Sequence, residues 1–151
     1  NGFLLGLKAI YEQGDLEQAF STGTSNSTLF AHICAFRSLF TPYLKTRTLK
    51  HVADPARGSA AKRLVMFLRW MVRSNVKGVD FGIWTSIDTA QLMIPLDVHT
   101  GNIARKLGLI SRKQNDWKTN EELIGVLQEF DPVDPAKYDF ALFGLGAFEK
   151  F

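Results

Sequence analysis

Apolar positions recur along this chain at helical spacing, and polar or glycine-containing breaks separate the runs. Residues 3–12 and 15–20 read as short helices interrupted at Gly14, and the polar stretch 21–26 reads as a loop that supplies the next N-cap. Leu29, Ile33, Phe36 and Phe40 then fall at i, i+4, i+7 and i+11, with Phe30 and Cys34 widening the stripe and Pro42 ending it, so a strong amphipathic helix is expected. A second long helix is predicted over residues 60–73. Leu64, Val65, Phe67, Leu68, Met71 and Val72 make it apolar on most sides, as suits a central element. Lys62, Met66, Arg69 and Arg73 share its one divergent stripe, which is expected to line a cleft carrying negative charge.

Residues 74–94 contain Gly78, Gly82 and polar turns among Phe81, Ile83 and Trp84, and read as an irregular connector with one short helical turn. Pro95 then holds the chain extended into Asp97, which is placed to cap a helix whose apolar face is Thr100, Ile103, Ala104 and Leu107 and which stops at Gly108. Thr119-Asn120-Glu121-Glu122 reads as a capping box opening a helix through Leu123, Leu127 and Phe130. Asp134-Pro135 opens the last helix, with Tyr138, Ala141, Leu142 and Leu145 on its buried side. No alternating pattern of strand length, no internal repeat and no low-complexity segment interrupts the series. The expected class is all-α.

With 151 residues, 46% of them hydrophobic, the chain is long enough for one helical domain with its own core, spanning 1–151. Its first residue is Asn and the apolar helix begins at once, so the expectation is the C-terminal part of a longer chain that has lost N-terminal helices. No apolar run approaches the roughly 20 residues that cross a bilayer, and no secretory signal pattern is present, so a protein without a membrane partner, in the cytoplasm, is expected. One cysteine, Cys34, excludes an internal disulfide and a four-cysteine iron–sulfur cluster.

Charge is segregated. Residues 31–79 hold ten basic side chains against Asp54 alone, a balance of +9 within a chain of net +3, which leaves −6 for the remainder. That is the footprint of a polyanion-binding face, although ordinary solvated side chains produce such runs as well. Other chemistries find little footing. His32 and Cys34 do not share a helix face, His51 and His99 sit in no metal-ligand spacing, and neither a Gly-x-Ser-x-Gly elbow nor a phosphate-binding Walker loop occurs.

Two segments resemble a known family. Ile94-Pro95-Leu96-Asp97-Val98-His99, followed by Arg105-Lys106-Leu107-Gly108, resembles the helix start of the helix-hairpin-helix DNA glycosylases, an Asp-x-His with an Arg and a Leu-Gly pair later in the helix. Gly58-Ser59-Ala60-Ala61-Lys62-Arg63-Leu64 fits the start of the second hairpin helix, where that family places a lysine. The separation from Lys62 to Asp97 is longer than in endonuclease III and closer to that of the archaeal 8-oxoguanine glycosylases. The Asn1–Leu7, Phe36–Phe40 and Tyr138–Gly146 wording also looks like an uncharacterised bacterial family, a likeness that covers nearly the whole chain and carries no activity with it.

The resemblance implies a helix-hairpin-helix glycosylase-like domain, its first hairpin helix and turn lying within residues 46–58. The implied activity is a DNA repair glycosylase and abasic-site lyase, acting as a monomer on duplex DNA with an oxidised purine such as 8-oxoguanine and needing no cofactor or metal. Lys62 would be the nucleophile, in a step that needs an amine neutral part of the time, and Asp97 would stabilise the positive charge that builds on the sugar. Arg57, Gly58 and Ser59 would hold a phosphate through their amides, joined on the DNA by Arg63, Arg69 and Arg73. Met66, Phe67, Trp70 and Trp84 would form the pocket for the extruded base, unless they are simply core. The hairpin departs from the family's Leu-Pro-Gly-x-Gly pattern, reading Pro55-Ala56-Arg57-Gly58-Ser59. The rival readings are a non-catalytic nucleic-acid-binding module on the same fold and a protein-interaction domain.

Overall fold

The computed structural model describes residues 2–21, 27–74 and 78–149; residues 22–26 of the expected loop, and Lys77 of the basic run, lie outside the described residues. Among the described residues eight α-helices follow one another: α1 (Gly2–Gln13), α2 (Leu16–Phe20), α3 (Leu29–Phe40), α4 (Thr46–Leu49), α5 (Lys62–Val72), α6 (Val98–Lys106), α7 (Trp117–Phe130) and α8 (Asp139–Ala147). Short 3-10 turns lie at Pro55–Arg57, Thr89–Gln91 and Pro135–Tyr138. Among the described residues the only β-type pairing is an isolated bridge between Ser59 and Asp116.

The apolar stripes read from the sequence converge on two clusters. One gathers Phe20, Ile33, Phe36 and Phe40 of α2 and α3 with Val65, Leu68 and Val72 of α5. Phe20 stacks on Phe36 with centroids 3.9 Å apart, and each such side chain removed from water contributes about 1.5–3 kcal/mol. The second gathers Ile94 and Leu96 with Ile103, Ala104, Leu123, Leu127 and Leu142 of α6 to α8. Ile124 of α7 packs against both. Asp97 opens α6 at the edge of the second cluster, whereas Lys62 opens α5, whose buried face belongs to the first.

Several boundaries differ from expectation for local reasons. α7 starts at Trp117 because Asp116 is the cap, accepting from Thr119 N at 2.9 Å, so Thr119 and Asn120 lie inside the helix and are buried. The short lead-in at Pro135 is 3-10, and α8 begins only at Asp139. Leu107 is exposed, because it sits at the cap of α6 and the chain reverses there. Gly108, at φ +71°, supplies the left-handed residue, with Leu109 N donating to the Ala104 carbonyl and Gly108 N to that of Arg105, a Schellman closure. Among the described residues, no helix is long and apolar enough to cross a membrane.

Candidate active site

Lys62 and Asp97, 35 positions apart, meet: Lys62 Nζ donates to Asp97 Oδ2 at 2.8 Å. Each is placed by its helix start. Asp97 has extended backbone and caps α6, its Oδ1 accepting from Thr100 N at 2.9 Å, which leaves Oδ2 for the lysine. Lys62 is the first residue of α5 and follows Ala61, which is buried and held in the left-handed region at φ +48°. That conformation costs an alanine about 1–2 kcal/mol and is sustained by its surroundings, Ser59 Oγ accepting from Ala61 N at 3.2 Å.

Lys62 is the more accessible member of the pair. The Lys62 side chain is 42% exposed and that of Asp97 15%. Partial burial pushes the Asp97 carboxyl up, but the Lys62 ammonium and the Thr100 N–H outweigh it and hold the group below its ordinary value.

A second carboxylate belongs to this neighbourhood. Asp139, at the start of α8, is buried, and that burial pushes its pKa up to about 6 although Arg69 donates to it. It feels both Asp97, which raises it further, and Lys62, which lowers it. Asp97 and Asp139 thus have values driven in opposite directions, the pattern by which acid and base roles are kept apart. Because the folded chain keeps the Asp139 proton between pH 3.8 and about 6 while the unfolded chain has lost it, ionising Asp139 opposes folding. Wild-type stability should therefore carry a component that falls as pH rises through that window, and Asp139→Asn should lack it. Urea titrations at pH 4, 5, 6 and 7 check this, and identical profiles for the two proteins would contradict it.

Arg69 and Arg73 meet negative charge, as expected of their stripe, but they meet it inside the protein. Arg69 is buried between Asp139 and Asp80, with Nε 3.3 Å from Asp80 Oδ1. Arg73 makes a bidentate pair with Asp134 at 3.0 and 2.8 Å and reaches Asp80 at 2.5 Å. The negative charge they meet is the protein's own, supplied by the connector, by the turn before α8 and by α8 itself. Phe140 lies over both guanidinium groups, at 4.7 and 5.6 Å.

The remaining expected residues divide. The amides of Arg57, Gly58 and Ser59 are spent closing the 3-10 turn, donating to the carbonyls of Asp54, Pro55 and Asp54 at 3.2, 2.9 and 3.1 Å, so they do not form an open phosphate grip. Gly58 supplies the turn's left-handed residue at φ +85°. Arg63 is exposed and, with Lys50, His51 and Lys62, lines a cleft of about 450 Å³. Lys45, Arg47 and Arg57 are exposed on the same stretch of chain, between α4 and α5. Sequence reasoning found this basic region but placed its grip on the backbone.

Of the expected base pocket, Met66 and Trp70 stand four and eight positions after Lys62, on its side of α5, with Trp70 37% exposed. Phe67 and Trp84 do not join them. They pack edge to face at 5.3 Å, and both lie near Phe20 in the first core. Exposed aromatic surface near Asp97 comes instead from α6 and α8: His99 and Phe143 have centroids 6.4 Å apart, and Phe143 is 41% exposed. A carboxylate followed four positions later by an aromatic ring, within an otherwise apolar helix, was the available signal for Asp139 and Phe143.

Among the described residues no group of three or more His, Cys, Asp or Glu is arranged to hold a metal ion. His32 Nδ1 lies 2.7 Å from the Phe20 carbonyl in the core.

No curated protein and no solved structure matches the chain. A family model does, over residues 1–148, and its description is a protein of unknown function, DUF2400. The Lys62–Asp97 pair, the Asp139 carboxyl and the basic cleft all lie within the matched residues, and the chain belongs to the DUF2400 family.

Proposed function

We propose that this protein is a DNA repair glycosylase with abasic-site lyase activity, built on a helix-hairpin-helix-like arrangement of α4, the 3-10 turn and α5, and acting on an oxidised purine such as 8-oxoguanine. The observation that carries the reading is the 2.8 Å contact between Lys62 and Asp97, two residues first paired by sequence resemblance alone. Asp97, kept ionised by its neighbours, stabilises positive charge developing on the sugar. The Lys62 amine, after releasing a proton to solvent, attacks the anomeric carbon. The bond from that carbon to the base breaks, and its electron pair leaves with the base, which takes up a proton. Opening of the sugar ring gives the Schiff base, and loss of a proton from the next carbon expels the 3′ phosphate.

DNA approaches this site over the cations between α4 and α5. Lys50, His51 and Arg63 take the strand phosphates through side chains, in place of the occupied hairpin amides. An extruded base meets Met66 and Trp70 from α5 and His99 and Phe143 from α6 and α8, since aromatic faces beside a basic groove suit unstacked bases.

The second reading, a binding module without catalysis, draws on the same basic stretch, and one experiment separates the two. On a duplex containing 8-oxoguanine the wild-type chain should release the base and nick the strand. Lys62→Ala should abolish nicking while retaining salt-sensitive binding, its slope in log affinity against log salt lower by no more than about one phosphate contact. Binding without nicking in both proteins supports the module. No salt-sensitive binding in either removes both readings.

A further inference from the structure

The connection between α6 and α7 touches both halves of the candidate site within three consecutive residues. Asn115 Nδ2 donates to the Asp97 carbonyl at 3.1 Å, Asp116 bridges Ser59, and Trp117 N donates to the Gly58 carbonyl at 3.2 Å. Asp97 carries the carboxylate, and Gly58 and Ser59 end the turn that delivers Lys62. Asn115 is itself clamped. Its Oδ1 accepts from Arg105 Nη2 at 2.6 Å, and Arg105 also donates to the carbonyls of Arg112 at 2.7 Å and Gln114 at 3.0 Å. Gly101 leaves room for this clamp, since a Cβ there would stand 2.5 Å from Asn115 Oδ1 and 3.0 Å from Arg105 Nη1.

We infer that Asn115 is a positioning residue for the Lys62–Asp97 pair, fixing the main chain at Asp97 relative to the turn that carries Lys62. The physical need is plain. Lys62 and Asp97 sit at the starts of separate helices whose buried faces belong to separate apolar clusters, so their contact depends on how the two helix starts are registered. A side-chain amide bonded at both ends, next to residues that hold the other turn, supplies that register at small conformational cost. Asn115 touches neither Lys62 nor the Asp97 carboxylate, so its effect passes through the Asp97 backbone.

The test is a carbon-detected NMR titration of the Asp97 carboxyl in the purified protein, with single-turnover nicking measured alongside. In wild type Asp97 should titrate below the ordinary carboxylate value. In Asn115→Ala it should move up toward that value as the lysine contact loosens, and nicking should slow by about tenfold to a hundredfold with DNA affinity kept. Gly101→Ala, which displaces the same amide without removing it, should move the titration the same way and keeps the test available if Asn115→Ala folds poorly. Ser111→Ala removes a 2.8 Å bond to Glu122 elsewhere in this connection and should leave the Asp97 titration in place. The nicking arm rests on the glycosylase reading, whereas the titration does not. Asp97 titrating as in wild type in both Asn115→Ala and Gly101→Ala would overturn the positioning role, whatever the protein's activity.

Discussion

Arg69→Ala is expected to destabilise the fold by about 3–5 kcal/mol, because it takes a shared cation from two buried carboxyl groups rather than removing a surface charge. Arg69 joins the middle of α5 to Asp80 of the connector and to Asp139 of α8, and the side chains of all three are nearly shut off from water. Truncation leaves Asp80 with Arg73 as its cation and deprives Asp139 of its direct partner. It also removes the guanidinium over Phe140. Urea unfolding checks the magnitude, and its pH dependence checks the cause. Asp139 already ionises only near pH 6, and without Arg69 it keeps its proton to higher pH still, so the deficit should grow as pH rises above about 6 and shrink as pH falls toward it. Arg69→Ala combined with Asp139→Asn should recover part of the loss. A deficit below about 1 kcal/mol, or one independent of pH, would mean that the cluster is as wet as a surface pair.

Asp97→Asn is expected to lower base release by a factor on the order of 10²–10³, the scale associated with removing one preorganised electrostatic stabiliser from an active site. The substitution is informative because it separates two roles held by different oxygens of one side chain. Asparagine caps helices about as well as aspartate, so α6 should remain intact and thermal unfolding should change little. The charge facing Lys62 disappears. Asp97→Ala, which removes cap and charge together, should cost about 1 kcal/mol of stability in addition. If Asp97→Asn releases base at the wild-type rate, the carboxylate is a cap and a lysine anchor without a part in the chemistry. Single-turnover kinetics at saturating enzyme, with circular dichroism on the same samples, makes the distinction.

Much of this architecture was legible in the order of apolar residues. The stripe of Leu29, Ile33, Phe36 and Phe40 and the nearly all-round apolarity after Lys62 fix α3 and α5, because those positions have no other way to leave water. Asp97 was legible for a local reason: proline before it and helical spacing after it define a cap, and a cap is a short-range event. Partners supplied from far along the chain were not legible. Arg69 and Arg73 were legible as a stripe that faces negative charge, but not that Asp80, Asp134 and Asp139 of the same chain supply it. Phe67 and Trp84 were pocket candidates with core packing as the alternative, and they are core: Phe67 lies five positions after Lys62, on another side of the helix. Asn115 carried no periodic, capping or motif signal at all. Its role depends on a turn more than fifty residues earlier being brought against the two residues that follow it.

The most direct test of the central claim is borohydride reduction of the protein on duplexes holding 8-oxoguanine or an abasic site. Schiff-base chemistry at Lys62 predicts a covalent protein–DNA product with the wild-type chain and none with Lys62→Ala. A product that persists in Lys62→Ala, or none with the wild-type chain at any pH from 6 to 9, would contradict it.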